Sequence, residues 1–187
     1  TKLINVLIQF LSQNSESKIF APLKFALYRR LLKRVRFIND TDKSNDVIEL
    51  KDTIDKILPS LSLFAWANFK QGGMDFISQV MIENPEIGLK LFMLNDLKIL
   101  TEIALTDSIN CEVYVQFATF GYQIFKSLNK SDPDFETLIG KFAFLTIIKW
   151  NDDIQKGSNI VQSAVCLISE LLNQSNHAVR AAFTAIG

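Results

Sequence analysis

Histidine is almost absent from this sequence: His177 is its single copy among 187 residues. A Ser-His-Asp or Cys-His system would have to use it, yet it stands in a polar turn, 174–179 (QSNHAV), without an activated nucleophile nearby. Cysteine is equally scarce. Cys111 and Cys166 lie far apart and match neither a zinc nor a redox spacing, so a disulfide framework and a cysteine-based metal site are excluded. Both stand in apolar helical segments, where we expect small buried hydrophobes in a reducing compartment, cytoplasm or nucleus.

Long apolar runs are missing too. The longest stretches free of Asp, Glu, Lys and Arg are thirteen residues, as at 57–69, 113–125 and 157–169. A membrane-spanning helix needs roughly 18 or more. No transmembrane segment is therefore expected, despite a mean hydropathy of +0.16. Net charge is also lacking. Twenty basic residues balance twenty acidic ones, which removes any general attraction to nucleic acid or anionic membrane and leaves only local patches to provide it. A phosphate-binding loop is absent, because Gly72-Gly73 is not followed by Gly-Lys-Ser/Thr, and no motif for a cofactor is present.

What is present is apolar material in helical order. Hydrophobic residues make up 48% of the chain and charged ones 21%, enough to drive burial of a core. Seven Gly and four Pro fall between helical patterns rather than within strands. Helices are predicted over 3–11, from Pro22 to about Ile38, over 47–58, 61–69 and 74–82, from Asn84-Pro85, and over 95–105 and 111–128. Further helices are predicted from Asp132-Pro133 to Trp150, over 159–173 and over 178–186. Pro59 is expected to kink or break the chain between two of them. In the helix after Pro22, Leu23, Leu27, Leu31 and Val35 share one face. No stretch alternates with period two. The class is all-α.

One similarity recurs within the chain. Val115-Gln116-Phe117-Ala118 returns 46 residues later as Val161-Gln162-Ser163-Ala164, and each opens an apolar helix ending in Leu-Asn, at Leu128-Asn129 and Leu172-Asn173. A period of roughly 40–47 residues belongs to HEAT and armadillo repeats. Gly72-Gly73-Met74 followed by DFISQVM looks like the opening of such a unit. Asn95-Asp96-Leu97 looks like its Asn-Gly-Leu turn, and 176–182 (NHAVRAA) looks like the helix of a further repeat. The chain thus resembles armadillo/HEAT-like α-helical repeat (solenoid) proteins over 72–187, with 1–70 as an irregular helical cap of the same domain. The sequence begins without Met and stops just after an apolar helix, so we expect a piece of a longer protein.

The resemblance implies a non-enzymatic interaction scaffold that binds a segment of another protein. Carried over position by position, it singles out Gln116, Asn129, Gln162 and Asn173 as contacts to an extended peptide along a groove. It also admits a module regulating Hsp70-class chaperones, as some armadillo-like proteins do. Independently of the resemblance, Lys24, Arg29, Arg30, Lys33, Arg34 and Arg36 lie on one predicted helix with no acid between Glu16 and Asp40. Their arc is expected to face away from the leucine stripe. It would be a contact site for an acidic segment, nucleic acid or an anionic membrane surface, or else a solvated face partly neutralised by Asp40, Asp42, Asp46, Glu49, Asp52 and Asp55. Phe64, Trp66 and Phe69, and Phe142, Phe144 and Trp150, are read as core packing before groove lining.

Overall fold

The computed structural model describes residues 21–36, 45–93, 97–151 and 157–174. The described residues hold eight α-helices, one short 3-10 turn and no strand, so the chain is all-α. The predicted helices at 3–11 and 178–186, and His177, lie outside the described residues. The chain divides into two compact units, Thr1–Asn95 and Asp96–Gly187.

The first unit holds α1 (Ala21–Arg36), α2 (Asn45–Ala67), α3 (Gly73–Glu83) and α4 (Pro85–Met93). Helix α1 packs on α3, α2 packs on α4, and α3 and α4 form a close antiparallel pair. The buried stripe of α1 is Ala21, Lys24, Phe25, Tyr28, Leu31 and Leu32, not the expected Leu23/Leu27/Leu31/Val35 face; Leu23 is 56% exposed. The reason is area. Phe25 and Tyr28 bury more apolar surface than two leucines, and burial scales with that surface. Phe25 stacks on Phe76 at 4.9 Å and tilts against Phe64 at 5.1 Å.

Pro59 lies inside α2, which runs unbroken through it. A proline removes one helical hydrogen bond at a cost of about 3 kcal/mol in a helix interior. Ile54, Leu58, Leu61, Ala65 and Trp66, buried on either side, offset that loss while Pro59 itself stays exposed. The chain then turns at Gly72, whose φ of 109° is left-handed backbone that glycine adopts without strain. Gly73 and Gly88 mark close helix crossings: a Cβ at either position would overlap backbone, that of Ala65 and of Met81 respectively. Ser62 Oγ and Trp66 Nε1 both donate to the Leu91 carbonyl, at 3.0 and 3.1 Å, and tie α2 to the end of α4.

The second unit holds α5 (Leu97–Thr106), α6 (Cys111–Ser127), α7 (Pro133–Trp150) and α8 (Gly157–Gln174). Helices α5 and α6 pair, α7 and α8 pair, and the two pairs stack with α5 on α7 and α6 on α8. Two layers result within this unit. Asp132 caps α7 as its sequence foretells, its carboxylate accepting from the amides of Asp134 and Phe135 at 3.1 Å each, with Pro133 at the first position. Of the six aromatics read as core, Trp66, Phe69, Phe142, Phe144 and Trp150 are buried and Phe64 is half-buried.

Candidate functional site

The repeated Val-Gln segments occupy equivalent places on α6 and α8. Ile160, Ala164, Leu167 and Leu171 are buried on α8, and the residues 46 earlier, Tyr114, Ala118, Gly121 and Phe125, are all buried on α6. Gln116 and Gln162 are both exposed. They line one cleft of about 430 Å³, together with Glu112, Thr119, Phe120 and Gln123 from α6 and Asn159, Ser163 and Cys166 from α8.

The cleft is rich in carboxamides and poor in charge. Gln116, Gln123, Asn159 and Gln162 each carry both donors and an acceptor, the equipment for pairing with peptide groups of either polarity. Thr119 donates back to the Val115 carbonyl at 2.9 Å, which leaves its oxygen able to accept. Phe120 supplies a half-buried aromatic floor. Among the described residues Glu112 is the one acidic or basic side chain of the lining, and Gln116 Nε2 donates to it at 3.3 Å. Among the described residues no cation lines the cleft.

The structure brings together only two of the four expected groove residues. Asn129 ends α6 instead: its φ is 53°, its N–H donates to the Lys126 carbonyl at 2.9 Å, and the Lys130 N–H donates to Phe125 at 3.3 Å. That is a Schellman-type helix end, in which asparagine serves because it tolerates the left-handed region. Asn173 is exposed near the end of α8 and does not line the cleft. Cys166, expected to be buried, is exposed on the cleft wall, whereas Cys111 is buried. Burial pushes the Cys111 thiol up to about 11. The residues not foreseen follow from helical spacing: 112, 119, 120 and 123 lie one or two turns from 116, and 159 and 166 one turn from 162.

The basic helix has a different outcome. Lys24 is buried, its ammonium 5.0 Å from the centre of the Phe64 ring, so it does not belong to an exposed arc. Burial lowers its pKa. Arg29 grips Glu83 on α3 with two bonds, Nε at 3.1 Å and Nη2 at 2.6 Å, and Lys33 reaches the same carboxylate at 3.5 Å. The hydrogen bond from Arg29 holds the Glu83 carboxyl below the usual range. Arg30 is exposed, and the side chains of Arg34 and Arg36 lie outside the described residues. Lys24 is thus part of the core of the first unit, and Arg29 and Lys33 tie α1 to α3 at its surface.

Among the described residues no helix is long and apolar enough to cross a membrane, and no three His, Cys, Asp or Glu side chains are grouped to hold a metal ion. Known proteins supply no identity for this arrangement: no family model matches the chain, and neither a curated protein nor a solved structure matches it.

Proposed function

We propose that this chain is an armadillo/HEAT-like helical-repeat scaffold, without catalysis of its own, that holds an extended segment of another protein in the α6–α8 cleft. The observation that carries the reading is the correspondence at 46 residues. Two stacked helices share four buried positions 46 residues apart and present equivalent glutamines, Gln116 and Gln162, to one cleft. One helical pair cannot bury its apolar face alone, so stacked pairs share a core and leave a continuous outer surface for ligands. Carboxamides that both donate and accept can bind a peptide backbone without reading its side chains.

The reading is tested by selecting random twelve-residue peptides on the whole chain by display. Selected peptides are then measured against the Gln116→Ala, Gln162→Ala double variant. Loss of the two amides removes about one hydrogen bond each, and at roughly 1 kcal/mol per bond the affinity falls about tenfold or more. Equal binding by both proteins would sink the proposal. Lys24 is buried and Arg29 and Lys33 share the Glu83 carboxylate at the surface of the first unit, which leaves the basic helix less free charge than its sequence suggests.

A further inference from the structure

We infer that the cleft selects a segment with a basic side chain four residues from a large apolar one, the first pairing with Glu112 and the second resting on Phe120. The inference rests on the peptide-binding reading above and adds its specificity. Its ground is charge complementarity in an otherwise neutral site. Among the described residues Glu112 is the one acidic or basic side chain of the lining, is only partly exposed, and has the neutral Gln116 amide as its hydrogen-bond partner. A carboxylate partly shielded from water by a cleft attracts a cation more strongly than a carboxylate on an open surface does. An acidic side chain placed there would meet repulsion instead, so the same group also rejects.

The spacing follows from helix and strand geometry. Glu112 and Phe120 are eight residues apart on α6, about 12 Å along its axis. An extended chain covers that distance in about four residues at roughly 3.3 Å each. Four is an even number, so both partner side chains point to the same face of the extended segment, toward the cleft. Gln116 lies between the two anchors and is left to the backbone.

Position 112 is also in the first turn of α6, where any acid is favoured by the helix N-terminus. That role would affect stability and leave ligand choice untouched. The experiment therefore reads choice. Twelve-residue peptide libraries are displayed against the whole wild-type chain and against Glu112→Lys, with helicity of both checked by circular dichroism. Wild type is expected to enrich Lys or Arg four positions from Leu, Ile, Phe or Met, and Glu112→Lys to enrich Asp or Glu at the same place. In fluorescence anisotropy, replacing the basic residue of a selected peptide by Gln should weaken binding to wild type about three- to fivefold, the range of a partly solvated ion pair. It should change nothing on Glu112→Gln.

Identical enrichment by wild type and Glu112→Lys overturns the inference. If those peptides still need Gln116 and Gln162, the binding reading stands without it. If neither protein enriches any peptide, both fall together.

Discussion

Gln116 and Gln162, 46 residues apart in the chain, line a single cleft from two stacked helices. Equivalent positions in the two helical pairs of this unit therefore reach one cleft. Neither glutamine is needed for the core, since both are exposed. Their replacement by Ala should leave the free energy of unfolding within about 0.5 kcal/mol of wild type, the usual range for surface changes. A larger loss in a urea melt would assign them to the fold.

Gly88 sits where α4 crosses α3, and an added methyl would overlap the Met81 backbone. In an exposed helix Gly→Ala gains about 1 kcal/mol. Here the neighbouring atoms are backbone and cannot swing aside, so Gly88→Ala should instead destabilise by about 1–3 kcal/mol, as overpacked cores do. A urea midpoint at or above wild type would contradict the crossing.

The Arg29–Glu83 pair makes stability depend on pH in one direction. Glu83 is held below the ordinary 4.5, so its contribution is complete above that value and is lost as pH falls through the lower folded value. Glu83→Gln should cost about 1 kcal/mol at pH 7, limited because Arg29 is 42% exposed to solvent. The gap between wild type and variant should narrow as pH falls below about 4.5. A gap independent of pH would mean that the pair contributes nothing.

Tyr122 is fully buried and its hydroxyl has no hydrogen-bond partner among the described residues. Burial pushes its pKa up to about 12, with the Glu136 and Glu170 carboxylates adding to the rise. Removing an unpaired buried hydroxyl relieves a desolvation penalty of about 1–3 kcal/mol. Tyr122→Phe should therefore be at least as stable as wild type by thermal melting, whereas a clear loss would point to a bridging water that the substitution expels.

The two cysteines should separate by reactivity. Cys166 is exposed in the cleft, and Cys111 is buried with its thiol raised to about 11. Ellman's reagent should titrate one thiol in the native chain and two in urea. Peptide bound in the cleft should slow the native reaction. Two fast thiols in the native state would contradict the burial of α6.

Much of the fold was legible because punctuation and periodicity agreed. Asp132-Pro133 and Gly72-Gly73 mark helix starts where the structure has them, and α7 ends at Trp150 as expected. Asn84 likewise opens α4, its side chain accepting from the Ile87 amide at 3.4 Å. The exposed face of α1 was not legible. Counting leucines favours the 23/27/31/35 stripe, but Phe25 and Tyr28 carry the larger area and turn the helix, taking Lys24 inside. Lys24 lies there over the Phe64 ring, a contact between residues forty apart that no local pattern announces. Glu83, which takes up Arg29 and Lys33, is likewise a tertiary partner. The cleft was half legible. The Val-Gln repeat pointed to Gln116 and Gln162, whereas the Leu-Asn steps misled, because Asn129 is spent on ending its helix.

The central claim is that the α6–α8 cleft is the surface that holds a partner segment. The most direct measurement is amide and side-chain chemical-shift mapping of the 15N-labelled chain titrated with a display-selected peptide. The account expects the largest changes at the Gln116 and Gln162 carboxamides and at the backbone of Glu112, Phe120 and Cys166, with α1 unmoved. Changes centred on Arg30 and the rest of α1, with the two glutamines silent, would contradict it.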